Sequence, residues 1–237
     1  MNTVKGIIFD YGGTIDTNGI HWAEVIWEQY IAAGVTIEKQ LFRDAYVYAE
    51  RALAKSPIIE PTDTFYRLLT KKIAIHAEFL KGKITPAQQD IIVEGCYRKV
   101  LDTLETTCSI VKKLSERYPM VLVTNFYGNM NVVLKEFGLK EYFPIIIESS
   151  VVGIRKPDPA LFALGVEALG LKAEDVVVIG DSYRKDIYPS HTLGCKTVWL
   201  KGACWEEETP SPDALPHSII GSIEELLNIM GGIKFRP

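Results

Sequence analysis

The chain has 237 residues, of which 47% are apolar and 24% are charged, and its formal net charge is -4. This balance is typical of a globular protein with a packed core, and the absence of a long Lys/Arg tract argues against nucleic acid as a partner. No apolar run approaches the roughly 18 residues of a membrane span. The four cysteines form no C-x-x-C pair, which predicts reduced thiols in a cytoplasmic protein.

The first predicted strand carries the short apolar run Ile7-Ile8-Phe9, which is typical of a strand buried on both faces. It begins by Val4, which leaves no room for a signal peptide. The run ends in Asp10, and Gly12 and Gly13 then allow a tight backbone path. Because ligands of open parallel sheets bind beyond the carboxyl ends of the strands, Asp10 is a candidate nucleophile or metal ligand.

Residues 17–104 show helical periodicity without a convincing strand, which predicts a small helical bundle. The start and stop signals predict four helices. They are Trp22 to Gly34, Glu38 to Lys55, a third helix capped by Thr62 and ending at Gly82, and a fourth that starts at Thr85-Pro86 and continues through Val100.

From about Thr106 onward, Val/Ile-rich strands alternate with amphipathic helices. The strands are predicted at 120–124, 144–147, 176–180 and 196–200, and the helices at 109–118, 129–137, 159–169, 185–193 and 222–230. This alternation predicts an α/β fold, a Rossmann-like parallel sheet with helices on both faces. We expect a core domain of residues 1–16 and 105–237 and an inserted helical domain of residues 17–104. The loop Cys204 to Pro216 is expected to be solvated.

Polar residues follow several of the predicted strands. Asp10 follows the first, Thr124 and Asn125 end the second, Lys156 precedes Pro157-Asp158-Pro159, and Asp181 follows Gly180 with Asp186 five residues later. In this order and spacing the sequence resembles the haloacid dehalogenase superfamily of hydrolases, and within it the phosphoglycolate phosphatase-like members. The resemblance covers the predicted core domain, and the inserted bundle resembles that family's commonest cap domain.

The resemblance implies a phosphatase that acts on a small phosphorylated metabolite. Asp10 would attack phosphorus and form an aspartyl-phosphate. Mg²⁺, which prefers oxygen ligands, would be held by Asp10, the backbone carbonyl of Gly12, Asp181 and Asp186. The resemblance therefore makes Asp10 both a catalytic residue and a metal ligand.

The resemblance also assigns the phosphate contacts. The Thr124 hydroxyl would donate to a phosphate oxygen, and Lys156 would neutralise both Asp10 and the phosphate. Backbone N–H groups that follow Asp10 and Thr124, at Gly13 and Asn125, would bind the remaining oxygens. Thr124 and Lys156 are therefore the other two predicted catalytic residues.

The sequence departs from the family at Gly12. The family's phosphatases have a second aspartate there, which protonates the leaving oxygen and then activates the hydrolytic water. Such help is typically worth about 10²–10⁴-fold in rate. We therefore expect slow or selective hydrolysis that favours substrates with good leaving groups.

Three alternatives stay open. Dehalogenases of 2-haloacids also lack that aspartate and use no metal, although Asp181 and Asp186 would then repel each other. Phosphonoacetaldehyde hydrolases use a cap lysine, for which Lys55 is a candidate. A non-catalytic phosphate-binding or regulatory protein is the third reading.

Substrate contacts are harder to predict. His21 and Trp22 lie nearest the hinge to the bundle, and Arg155 lies beside Lys156, so these three are the possible substrate contacts. Asp16 is expected to be a hinge or cap residue. The sequence leaves both a monomer and a homodimer open, with no nucleic-acid or membrane partner.

Overall fold

A computed structural model describes residues 4–232 of the chain. Its six strands form one parallel sheet in the order 3-2-1-4-5-6. The strands are β1 (Gly6–Phe9), β2 (Met120–Thr124), β3 (Ile145–Glu148), β4 (Val176–Gly180), β5 (Lys196–Leu200) and β6 (Ser218–Ile220). The predicted parallel α/β fold is confirmed, and β1 lies centrally between β2 and β4.

Four helices lie between β1 and β2, so a helical region follows the first strand as predicted. The helices are α1 (Trp22–Ala32), α2 (Lys39–Lys55), α3 (Phe65–Phe79), α4 (Pro86–Ser115), α5 (Met130–Glu136), α6 (Ser149–Val152), α7 (Ala160–Leu169), α8 (Tyr188–Thr192) and α9 (Leu226–Gly232). Among the described residues, no helix has both the length and the apolar character that crossing a membrane requires.

The two faces of the sheet bury alternate residues of β1. Ile8 packs with Val121, Val178 and Phe162 in one core cluster on the α7 side. Ile7 and Phe9 belong to the larger cluster on the opposite face, which continues into the helical region. Because all three apolar side chains of β1 are fully buried, the strand is held firmly from both faces, and Asp10 is placed at a rigid strand end.

The prediction of separate helices at 85–100 and 109–118 was wrong, because α4 is one helix of 30 residues. Thr85 and Gln88 form a capping box at its start. Val100, Leu104 and Val111 keep to one buried face, and no glycine or proline interrupts the turns between them. The division of the chain at residues 104 and 105 falls inside α4 and stays a prediction.

Two smaller predictions also need correction. The N-cap of α3 is Thr64, whose side chain accepts the Arg67 N–H, and not Thr62. The strand β6 was missed because it is only three residues long and Ile219 is exposed. The four cysteines are free, as expected, although Cys204 is exposed.

Candidate active site

The predicted site residues meet at the carboxyl ends of three neighbouring strands. Asp10 follows β1, Thr124 ends β2, and Asp181 follows β4. Lys156 reaches them from the loop between α6 and α7, and Asp186 from a single helical turn, Tyr183–Ile187, after β4. All five line one cavity with a volume of about 130 Å³.

Lys156 is the cation at the centre of this cluster. Its Nζ donates to Oδ1 of Asp10 at 2.5 Å and to Oδ1 of Asp186 at 2.7 Å, and its side chain is 2% exposed. Burial lowers the pKa of the Lys156 ammonium, but the two carboxylates outweigh burial and raise that pKa above its usual value. Lys156 is therefore a permanent positive charge at the end of β1.

Three carboxylates surround the same point. Asp10, Asp181 and Asp186 each offer an oxygen, and these oxygens lie within 4.8 Å of one another. Burial raises the pKa of Asp10, and Asp186 raises it further against the lowering effect of Lys156. Burial, Asp186 and Asp10 raise the pKa of Asp181 well above its usual value. One ammonium does not compensate three carboxylates, so these residues fit a hard divalent cation such as Mg²⁺.

Thr14 belongs to this cluster and was missed from the sequence. Its Oγ1 lies 3.2 Å from Oδ2 of Asp10 and 3.1 Å from Oδ1 of Asp181, so its hydroxyl can donate to either carboxylate. The sequence offered a signal, because Thr14 is a hydroxyl residue directly after Gly12-Gly13, in the same turn as Asp10. Thr14 thus ties the ends of β1 and β4 together.

The turn after β1 is organised around Asp16, which is fully buried. Its Oδ1 accepts the Gly13 N–H at 2.7 Å, and its Oδ2 accepts Nε1–H of Trp22 at 2.9 Å. Burial raises the pKa of Asp16 to about 7. Asp16 therefore joins the turn after β1 to the first residue of α1, and its expected role as a hinge or cap residue stays a prediction.

Gly13 carries a backbone constraint. Its φ is +94°, a region that favours glycine, and a Cβ there would lie 2.4 Å from Oδ2 of Asp181. Since its N–H is bonded to Asp16, the structure gives Gly13 a role in shaping the turn, and its predicted phosphate contact stays a prediction.

Asn125 positions Lys156. Its Oδ1 accepts the Lys156 N–H at 2.9 Å, and its Nδ2 donates to the Lys156 carbonyl at 3.2 Å. The side chain of Asn125 thus fixes the loop that carries the ammonium, and any contact of Asn125 with phosphate falls to its backbone. Thr124 beside it is 1% exposed and lines the cavity.

The loop Cys204 to Pro216 lies at the surface, as its composition predicts, and it also makes contacts beside the site. Glu208 accepts the N–H of Tyr183 and the hydroxyl of Ser182, and Trp205 packs on Phe42 of α2 with ring centroids 5.5 Å apart. A carboxylate stabilises the exposed N–H groups at the start of a helical turn. The loop therefore supports the turn that carries Asp186.

Residues of the helical region form the opposite wall of the cavity. His21, Trp22 and Arg155, the three predicted substrate contacts, all line it, and so does Gly12. Other residues of the lining were not predicted. They are Tyr46, Glu50, Phe65, Leu68, Leu69, Lys72, Phe126, Tyr127, Ser182 and Lys185.

Lys72 is the most informative of these missed residues. Its Nζ lies 2.6 Å from Oε1 of Glu50, whose Oε2 accepts the Tyr127 hydroxyl at 3.1 Å. Lys55, the lysine considered from the sequence, is exposed and does not line the cavity. The missed signal is the helical spacing of Leu68, Lys72 and His76, which puts a lysine on the buried face of α3.

Comparison with known proteins agrees with this geometry. A family model described as haloacid dehalogenase-like hydrolase matches residues 4–189, and one described as HAD-hydrolase-like matches residues 153–226. The fold and the convergent carboxylates therefore define a hydrolase of this class. The chain belongs to the haloacid dehalogenase-like hydrolase family.

Three relatives illustrate the likeness. The chain is 36% identical over 102 residues to glyceraldehyde 3-phosphate phosphatase of Methanocaldococcus jannaschii, covering 43% of each protein. It is 30% identical over 125 residues to phosphoglycolate phosphatase of Neisseria gonorrhoeae, covering 52% of each. The chain thus spans about half the length of the curated relatives it matches. A magnesium-bound structure of the HAD-hydrolase YfnB from Bacillus subtilis shares the fold, with a TM-score of 0.58, 17% identity, and coverage of 97% of this chain and 100% of that one.

Proposed function

We propose that this chain is a Mg²⁺-dependent phosphoric monoester hydrolase that acts on a small phosphorylated metabolite through an aspartyl-phosphate on Asp10. The convergence of Asp10, Lys156, Asp181 and Asp186 in one cavity carries this proposal. Two curated relatives are named as phosphatases of small metabolites. A cytoplasmic location, with the chain as monomer or homodimer, completes the proposal.

Asp10, Asp181 and Asp186, with the carbonyl of Gly12, would hold the metal ion. When bound, Mg²⁺ supplies positive charge that compensates the carboxylates and the transferring phosphoryl group. Lys156 and the Thr124 hydroxyl complete that compensation from the protein side, because both line the cavity beside Asp10.

The reaction has two displacements at phosphorus. A carboxylate oxygen of Asp10 attacks, the bond from phosphorus to the leaving oxygen breaks, and that oxygen takes a proton from water or leaves as a stabilised anion. Water then attacks the aspartyl-phosphate, the bond from phosphorus to Asp10 breaks, and inorganic phosphate leaves. With glycine at position 12, no carboxylic acid follows Asp10 at the position where the family's phosphatases have one. Hydrolysis is therefore slow or restricted to good leaving groups.

The other readings have less support. A metal-free dehalogenase would leave three carboxylates around one ammonium. An imine-forming lysine must lose its proton, yet Glu50 and Tyr127 outweigh burial and raise the pKa of Lys72 above its usual value. Neither observation favours a second function.

A panel of phosphorylated metabolites and one aryl phosphate, assayed with and without Mg²⁺, tests the proposal. We expect Mg²⁺-dependent release of phosphate, fastest with the aryl ester, and its loss in Asp10→Asn. If no ester is hydrolysed, and Mg²⁺ with a fluorometallate phosphate mimic does not raise the melting temperature, a phosphatase is contradicted and a non-catalytic protein is favoured.

A further inference from the structure

The wall of the cavity opposite Asp10 carries a polar trio that no step of the proposed reaction uses. Glu50 on α2 pairs with Lys72 on α3, and the Tyr127 hydroxyl donates to Glu50. The Lys72 side chain is 6% exposed and that of Glu50 is 28% exposed, so part of the Glu50 side chain remains accessible. All three residues line the cavity that holds Asp10.

Aromatic rings surround the ammonium of this ion pair. Nζ of Lys72 lies 5.9 Å from the ring centroid of Trp22, 6.0 Å from that of Tyr46 and 5.7 Å from that of Tyr127. Rings exclude water and stabilise a cation on their faces. Charges in such a partly desolvated place interact more strongly than at an exposed surface.

The other cations that line the cavity come from loops that connect the strands of the sheet to its helices. Arg155 and Lys156 precede α7, and Lys185 belongs to the turn after β4. Lys156 already pairs with Asp10 and Asp186. A phosphate group is therefore drawn to the ends of the strands. The rest of a bound ester must then extend toward α2 and α3, where the trio lies.

We propose that Glu50, Lys72 and Tyr127 form a leaving-group site that accepts an uncharged oxygen function, a hydroxyl or carbonyl, and rejects a second anionic group. An ammonium has three N–H donors and a hydroxyl has a lone pair to spare, so the trio can bind such an oxygen. A carboxylate or phosphate there would be repelled by Glu50. Lys72 would not offset this added negative charge, because it already pairs with Glu50. This specificity rests on the phosphatase function proposed above.

Binding to the Asp10→Asn protein with Mg²⁺ separates recognition from turnover. The probes are 2-hydroxyethyl phosphate and 2-phosphoglycolate, which differ mainly in the charge of the leaving group, and calorimetry measures both dissociation constants. We expect the hydroxyl compound to bind about tenfold or more tightly. Adding Glu50→Gln should remove most of this preference, because the amide keeps the shape and loses the charge.

Glu78→Gln, which removes the same charge from an exposed position on α3, is the matched control and should keep the preference. Equal binding of the two probes with Glu50 present, or an unchanged ratio in Glu50→Gln, overturns the leaving-group site. A preference in binding supports the site even without turnover of either probe, because the aryl ester tests the phosphatase separately. Turnover of both probes at equal kcat/KM supports the phosphatase and contradicts the site. Failure to bind either probe contradicts the site, and the aryl ester then decides the phosphatase.

Discussion

The ring of Trp22 stands over Gly12, and a Cβ added at Gly12 would lie 3.9 Å from Cδ1 and Nε1 of that ring. This is ordinary van der Waals contact, and the φ of Gly12 is not in the left-handed region. The position therefore has room for a side chain, although the chain carries none there.

Gly12→Asp should accordingly raise the hydrolysis of alkyl phosphates. The new carboxyl group would lie beside the cavity as a general acid and base, whose help is typically worth about 10²–10⁴-fold. Steady-state kcat/KM for an alkyl and an aryl phosphate checks this, and the alkyl ester should gain more. Gly12→Asn is the control of equal size. A gain in Gly12→Asn, or no gain in Gly12→Asp, would count against a missing proton donor.

Gly13→Ala should damage the site by steric contact. The added Cβ would lie 2.4 Å from the Asp181 carboxylate, at a φ of +94°, and we expect a loss of about 1–3 kcal/mol in stability from strain. Mg²⁺ should also raise the melting temperature less than in the unmutated protein, because Asp181 must move.

Gly82→Ala separates the two causes, since Gly82 has a φ of +83° and nothing lies within 4 Å of its added Cβ. This control should lose stability but keep the full response to Mg²⁺. An equal response to Mg²⁺ in both variants would remove Asp181 from the metal site.

Lys156→Met should make the protein more dependent on the metal ion. Removing the ammonium leaves Asp10 and Asp186 without their cation, and breaking a buried pair in this way typically costs about 3–5 kcal/mol. Thermal melts should show a lower melting temperature without Mg²⁺ and a larger stabilisation by Mg²⁺. Lys156→Arg, which keeps the charge, should change the Mg²⁺ response less, and a smaller Mg²⁺ effect in Lys156→Met would contradict this electrostatic account.

His76 should make the fold sensitive to acid. Burial, with Lys72 nearby, lowers the pKa of His76 to about 3, whereas an unfolded histidine titrates near about 6.5. Between these values the unfolded state binds the extra proton, so stability falls as pH falls from about 6.5 toward 3, by at most about 1.4 kcal/mol per pH unit.

Denaturant unfolding at several pH values measures this slope. His21, whose pKa burial lowers to about 4, adds a slope of the same sign. His76→Leu should therefore show a shallower loss of stability in acid and not a flat one. Identical slopes with and without His76 would show that this histidine does not resist protonation in the fold.

The sheet and the site residues at its strand ends could be predicted from the sequence for a physical reason. The end of each apolar run shows where a strand ends, and parallel strands bring Asp10, Thr124 and Asp181 to one edge of the sheet. The loop residue Lys156 needed the family resemblance, because nothing local distinguishes it from a surface lysine.

The cavity residues Glu50, Lys72 and Tyr127 could not be predicted from the sequence in the same way. Glu50 and Tyr127 are far apart in the chain, and their meeting with Lys72 depends on how α2 and α3 pack, which periodicity does not specify. The uninterrupted α4 was missed for a different reason. A helix that has no glycine or proline at the point where it passes from the helical region to the sheet gives no sequence signal there.

The most direct test is a crystal structure of the protein grown with Mg²⁺ and beryllium trifluoride, which mimics a phosphoryl group on a carboxylate. We expect beryllium bonded to an oxygen of Asp10, next to Thr124 and Lys156, with one metal ion held by Asp10, Asp181 and Asp186. A structure in which beryllium trifluoride does not bind Asp10, or in which no ion lies among these carboxylates, would contradict phosphoryl transfer to Asp10.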